Sequence, residues 1–74
     1  MNKLRDLRED MDKSQSFMAK LLNVNQTTYH RYETEELNIP VESLKTLAKY
    51  FGTSVDYLLC LTDERKPYPR KPVD

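Results

Sequence analysis

Residues 13–33 read KSQSFMAKLLNVNQTTYHRYE and hold two short helical patterns with no glycine or proline between them. Ser14 is a favoured N-cap residue, and Met18 and Ala19 share one face of the residues that follow. A helix is therefore predicted from about residue 15 to residue 22. The chain then has to turn at LNVN, although that segment lacks the usual turn residues.

Two asparagines supply that turn. Asn23 is the best substitute for glycine in the left-handed conformation that ends a helix. Asn25 can cap the helix that follows, which is predicted from about residue 26 to residue 33. In this helix Tyr29 and Tyr32 would face inward.

Three further helices are predicted on either side of this stretch. The first carries the apolar series Leu4, Leu7 and Met11 at helical spacing. The fourth begins after Pro40 and repeats apolar residues at Val41, Leu44, Leu47, Ala48 and Phe51. Gly52 suits the residue just past its end, and Ser54 can cap a short fifth helix carrying Val55, Leu58 and Leu59.

The predicted fold is all-α, a compact five-helix bundle in one domain over residues 1–62, with a helix-turn-helix at about 14–33. Residues 63–74 include Pro67, Pro69 and Pro72 and carry basic residues, which predicts an extended, disordered tail. A chain of 74 residues has room for one hydrophobic core. No alternating strand pattern is visible.

Composition excludes several classes of protein. With one cysteine and one histidine, Cys60 and His30, the chain cannot form an internal disulfide or a thiolate–histidine zinc site. We expect Cys60 to be a partly buried apolar residue. No apolar run approaches the ~20 residues needed to span a bilayer, so we expect a cytoplasmic protein without membrane contact. We expect no cofactor, no metal and no enzymatic activity, since no catalytic set is visible.

The second helix of the predicted motif carries the candidate binding surface. Two short helices joined by a tight turn form a helix-turn-helix, whose second helix can lie in the DNA major groove. At about 100° per residue, Thr27 and Arg31 fall opposite Tyr29, with His30 to one side and Gln26 at the leading end. Gln, Arg and Thr side chains can read adenine, guanine and the thymine methyl group respectively. Double-stranded DNA is therefore the expected partner.

LRDLRED, SQSFMAKLLNVNQTTYHRYE and IPVESLKTLAKYFGTSVDYLL together resemble the phage repressor and Cro type of helix-turn-helix proteins, the XRE family, over about residues 4–61. The resemblance implies five helices and sequence-specific DNA binding as a dimer. It places base contacts on Gln26, Thr27, His30 and Arg31, with Asn25 at the edge. It places phosphate contacts on Ser14, Gln15 and Thr34, and an ion pair between Arg8 and Glu33.

The chain departs from that family in its charges. After the recognition helix it has Thr34, Glu35 and Glu36 where basic residues are common, and its 12 basic side chains balance 12 acidic ones. We therefore expect weak nonspecific DNA binding. Lys13 stands where the family has an apolar residue, and we expect it to add a phosphate contact.

We expect a repressor that occupies a palindromic operator as a homodimer, with Tyr57, Leu59 and Leu61 of the last helix in the dimer contact. A small-molecule ligand is not expected in so short a chain. The alternative is a protein-interaction module, an antitoxin or antirepressor partner that kept the fold and lost much of its DNA affinity. Zero net charge and the acidic TEE segment favour that alternative.

Overall fold

The computed structural model describes residues 2–66, and the predicted tail beyond residue 66 lies outside the described residues. Within that range the chain forms five helices and no strand, which confirms the predicted all-α fold. The helices are α1 Leu4–Asp10, α2 Gln15–Leu21, α3 Gln26–Glu33, α4 Val41–Phe51 and α5 Val55–Leu58.

Three of the helices begin at a side-chain cap. The Ser14 hydroxyl accepts a hydrogen bond from the Phe17 amide at 3.0 Å, and the Asn25 side-chain oxygen accepts one from the Thr28 amide at 2.7 Å. The Ser54 hydroxyl caps α5 in the same way. Each cap satisfies an amide that has no partner inside its helix, so the three predicted starting points are confirmed.

All five helices are followed by a residue in the left-handed conformation: Asp12, Asn23, Glu35, Gly52 and Cys60. At the turn between α2 and α3, the amides of Asn23 and Val24 bond back to the carbonyls of Lys20 and Ala19. This pair of bonds is the Schellman arrangement, which reverses the chain within a few residues. It explains how LNVN forms a turn without glycine.

The core lies where all five helices meet. Leu4, Leu7, Met18, Ala19, Tyr29, Tyr32, Leu47, Ala48, Phe51 and Leu58 are buried and form one cluster. Because α2 and α3 are only seven and eight residues long, they would be marginal as isolated helices. Packing against this cluster is what holds the helix-turn-helix in place.

The residues before α1 join distant parts of the fold. The side-chain amide of Asn2 donates to the Tyr32 carbonyl at 2.9 Å, near the end of α3. The backbone amide of Lys3 donates to the Leu58 carbonyl at 2.9 Å. The start of the chain therefore connects the third helix to the fifth.

Three sequence-based expectations about burial were wrong, and the first concerns Val41, which opens the apolar series of α4 but is exposed. Met11 does not continue the inner face of α1, because the helix ends at Asp10 and the chain turns at Asp12; its side chain is exposed. Cys60 is also exposed, since it occupies the left-handed position after α5. A side chain at such a turn points away from the helix face that packs on the core.

The first residues of the predicted tail contact the domain. The buried Thr53 hydroxyl donates to the carbonyl of Arg65, which connects this residue of the predicted tail 63–74 to the turn after α4. Where the domain ends and the tail begins stays a prediction. No helix between residues 2 and 66 is long and apolar enough to cross a bilayer.

Gly52 provides a test of the helix ends. It has a φ of +66°, and a Cβ added there would meet no atom within 4 Å. Gly52→Ala should therefore lower the free energy of unfolding by about 1 kcal/mol through backbone strain alone. Gly52→Asn should cost less, since asparagine tolerates this conformation. Urea unfolding measures both; equal stability of the alanine variant and wild type would contradict the assignment.

Candidate nucleic-acid interface

Helix α3 divides cleanly into a buried and an exposed face. Tyr29 and Tyr32 are 0% and 5% exposed and belong to the core. On the opposite face Gln26, Thr27, His30 and Arg31 are all exposed. The four side chains that the sequence assigned to base contacts therefore lie together on one outward surface, which we call the α3 face.

An ion pair between α1 and α3 lies directly beneath this surface. Arg8 Nε donates to Glu33 Oε2 at 2.7 Å, and a second guanidinium nitrogen lies 3.3 Å from Oε1. Their side chains are only 12% and 4% exposed. Arg8 also donates to the Lys13 carbonyl at 2.9 Å, in the connection from α1 to α2. One guanidinium thus contacts the end of α3 and the connection between α1 and α2.

The pair changes the ionisation of its members. Burial alone would raise the pKa of Glu33, but hydrogen bonds from Arg8 and Gln15 and the nearby Tyr29 hydroxyl outweigh burial, and its pKa is lowered. The hydrogen bond to Glu33 raises the pKa of Arg8. Because the folded-state pKa of Glu33 is depressed, its stabilising contribution is complete at neutral pH and is lost as pH falls through that pKa.

The Tyr29 hydroxyl is buried close to this pair. Burial first, and then the Glu33 carboxylate, raise the pKa of Tyr29 well above its usual range. The hydroxyl nevertheless makes no hydrogen bond of standard geometry within residues 2–66. Tyr29 therefore contributes to the fold mainly through its ring, and its neutral hydroxyl acts on the charge of the nearby Glu33 carboxylate.

Gln15, the first residue of α2, links the ion pair to the exposed surface. Its side-chain nitrogen donates to Glu33 Oε1 at 3.1 Å and lies 3.2 Å from His30 Nδ1. From the sequence, Gln15 is expected at a phosphate and His30 at a base, and a contact between the two is not predicted. No spacing signal would reveal it, because the two residues lie on different helices.

Comparison with known proteins identifies the motif. A family model described as helix-turn-helix matches residues 4–58. The chain belongs to the XRE-type helix-turn-helix family. Among curated proteins it is 34% identical over 65 residues to an uncharacterized HTH-type transcriptional regulator, YobD, of Bacillus subtilis, and 33% identical over 58 residues to the cryptic phage CTXphi transcriptional repressor RstR of Vibrio cholerae.

These alignments cover most of this chain and about half of each relative. They include 88% of the chain and 58% of YobD, and 78% of the chain and 52% of RstR. The chain thus spans about half the length of the curated relatives it matches. No solved structure gives a significant match. Membership of a family of transcriptional regulators follows from the matches, whereas the remainder of the relatives has no counterpart in the alignment.

The residues expected to contact phosphate lie at or near helix ends. Ser14 and Thr34 are exposed at the start of α2 and the end of α3. The Lys13 ammonium lies 4.7 Å from the centre of the Phe17 ring. The side chain of Asn25 accepts the capping bond from Thr28. Contacts of these residues with DNA stay predictions.

Arg31 has a partner, Glu36, that its sequence pattern does not predict. Its Nε lies 3.7 Å from Glu36 Oε2, with 51% and 63% of the two side chains exposed. A pair this open to water contributes well under 1 kcal/mol to stability. Arg31 can therefore leave Glu36 for a stronger anion at little cost.

The expected dimer residues differ in position and exposure: only Tyr57 lies in the last helix, because α5 ends at Leu58, and Leu59 and Leu61 follow it. Leu61 is 72% exposed, whereas Tyr57 and Leu59 are half-buried. Leu59 lines a shallow recess with Asn2, Leu37 and Ile39, among others. The Lys3 ammonium lies over the Tyr57 ring, 5.1 Å from the ring centre.

Among residues 2–66 there is no cluster of three or more His, Cys, Asp or Glu side chains that could hold a metal ion.

Two substitutions at one location test how the interface is supported. Arg8→Ala should lower the free energy of unfolding by about 3–5 kcal/mol, because Glu33 would be left charged and buried without its cation. Tyr29→Phe should change stability by no more than about 1 kcal/mol, since the hydroxyl it removes makes no standard hydrogen bond. Thermal and urea unfolding measure both. A melting temperature unchanged by Arg8→Ala would refute the structural importance of the pair.

Proposed function

We propose that this protein is a sequence-specific DNA-binding repressor that inserts α3 into the major groove. The observation that supports the proposal is the α3 face, which presents four exposed hydrogen-bonding side chains on a helix fixed by buried tyrosines and by the Arg8–Glu33 pair. RstR, to which the chain is 33% identical over 58 residues, is named as a transcriptional repressor. Such a protein would act in the cytoplasm.

Each side chain of the α3 face has a role that its chemistry supports. We assign Gln26 to adenine, Arg31 to guanine, and Thr27 to a thymine methyl group, with His30 as a further base contact and Asn25 at the edge. Gln15, Thr27, His30 and Gln26 line one shallow recess, so their polar groups lie within the footprint of a few base pairs.

Backbone contacts would orient the helix on the duplex. Ser14 and Gln15 lie at the start of α2, Thr34 lies at the end of α3, and Lys13 lies just before α2. Such contacts position a protein on DNA without reading its sequence. We therefore assign these four residues to phosphate, Gln15 through its backbone amide at the start of α2, because its side-chain nitrogen contacts Glu33 and His30.

The charge distribution predicts low affinity for DNA in general. The sequence has zero net charge, and Glu36 pairs with Arg31 at the edge of the α3 face. Nonspecific affinity comes mainly from basic side chains that displace counterions. Discrimination between operator and other DNA would therefore depend on base contacts to an unusual degree.

The same charges support the second candidate, a protein-interaction module with weakened DNA binding. Salt dependence separates the two. DNA binding weakens steeply with salt because counterions are released, whereas a protein–protein contact need not. Mobility shifts at two salt concentrations, on DNA selected from a random pool, should show the steep loss.

Substitutions at Arg31 and Glu36 should differ in kind. Arg31→Ala should cost about 1–3 kcal/mol on the selected site and relax preference at one base position. Glu36→Lys should raise affinity for all sequences and steepen the slope of log K against log salt by up to about one. Glu36→Gln is the matched control, expected to raise affinity without a new phosphate contact. If none of the three changes DNA binding, α3 is not in the groove.

We further propose a homodimer on DNA, with Tyr57, Leu59 and Leu61 in the contact. Paired recognition helices about 34 Å apart would meet successive major grooves on one side of the duplex. Leu61→Lys should weaken binding to a palindromic site far more than binding to an isolated half-site, measured by titration and by sedimentation. A complex of one chain per palindromic site would contradict the dimer.

A further inference from the structure

Four side chains form a continuous series from the core to the α3 face. Arg8 donates to Glu33, Gln15 donates to Glu33, and the same Gln15 nitrogen contacts His30. Glu33 is 4% exposed, whereas His30 is exposed. The chemistry of each contact restricts the next one, and together they determine which hydrogen-bonding group His30 offers to a ligand.

The first restriction lies at Glu33. Its carboxylate is held by the Arg8 guanidinium at 2.7 Å, and its pKa is lowered, so it is ionised at neutral pH. An ionised carboxylate only accepts hydrogen bonds. The group of Gln15 that faces it must therefore be the amide nitrogen and cannot be the amide oxygen. The ionised Glu33 carboxylate therefore determines the orientation of the Gln15 amide, with its nitrogen toward Glu33.

The second restriction lies at His30. An amide nitrogen carries two hydrogens and accepts none. One of them is directed at Glu33, and the other faces His30 Nδ1 at 3.2 Å. Nδ1 must then be the acceptor, which is the neutral imidazole with its hydrogen on Nε2.

From this geometry we propose that Gln15 is a specificity-determining positioning residue, which makes His30 a hydrogen-bond donor toward DNA through Nε2–H. The proposal rests on the DNA-binding function proposed above. His30 would then select a base edge that accepts a hydrogen bond, such as a purine N7, guanine O6 or thymine O4. It would reject the amino group of cytosine, which only donates. Gln15 thereby influences base choice without touching a base.

The free protein provides the first test. Long-range ¹H–¹⁵N correlation spectra of the ¹⁵N-labelled chain at pH 8 should show His30 as a single tautomer, protonated at Nε2. Gln15→Leu removes the donor and should give a mixture of both tautomers. Gln26→Leu is the matched control, because Gln26 is an exposed glutamine lining the same recess. His30 in this variant should show the same tautomer as in the wild type. A mixture of tautomers at His30 in the wild-type protein, or a proton on its Nδ1, would overturn the proposal. This outcome is measured on the wild type and does not depend on whether a variant folds.

The second test uses DNA selected from a random pool. Gln15→Leu should reduce discrimination at the single position read by His30 by about two- to tenfold, the value of one hydrogen bond. Preferences at the positions read by Gln26 and Arg31 should stay unchanged. Unaltered discrimination at every position would overturn the role of Gln15 in base choice. A chain that shows the single tautomer but binds no DNA would instead overturn the proposed function.

Discussion

The Arg8–Glu33 ion pair is the interaction on which the rest of the structure depends. It joins α1 to the end of α3, and through the Lys13 carbonyl it also holds the connection to α2. Burying two charges costs free energy that only close geometry and additional hydrogen bonds offset. Glu33 receives such bonds from both Arg8 and Gln15. The pair therefore determines the relative position of three helices more than it adds net stability.

That constraint matters because the helices are short. A helix of seven or eight residues does not persist alone in water, and the caps at Ser14 and Asn25 only define where α2 and α3 begin. Packing of Tyr29 and Tyr32 sets the rotation of α3 about its axis. The ion pair and the bond from Asn2 to the Tyr32 carbonyl then hold its far end. The exposed surface is ordered because its buried side is fixed at several points.

The positive charge of Arg31 on the α3 face is partly neutralised by a neighbouring carboxylate. Arg31 is shared with Glu36 across the turn that follows the helix, and this pair is open to water. A well-placed acceptor on a duplex could replace Glu36 as the partner of Arg31. A poorly placed phosphate would have to compete with Glu36 for Arg31. In the proposed DNA-binding role, acidic residues after the helix would lower general affinity more than specific affinity. Under the proposed function, geometry at the base edges would carry the discrimination in a chain of zero net charge.

The sequence by itself determined the features that depend on neighbours along the chain. Apolar spacing showed five helices, Ser14, Asn25 and Ser54 showed where three of them begin, and Asn23 showed how a chain without glycine turns. Each of these is a local interaction within a few residues, so the amino-acid sequence alone predicts it. The same spacing placed Gln26, Thr27, His30 and Arg31 on one face.

Only the tertiary structure decided which of those groups meet. The contact of Gln15 with His30 joins residues on two helices, and its distance depends on how those helices cross. The pairing of Arg31 with Glu36 depends on the path of a loop with no repeating pattern. Exposure of Met11 and Cys60 likewise depends on where a helix stops, which packing decides. Hydrogen-bond partners across helices are set by ångström-scale positions, and sequence spacing contains no information at that scale.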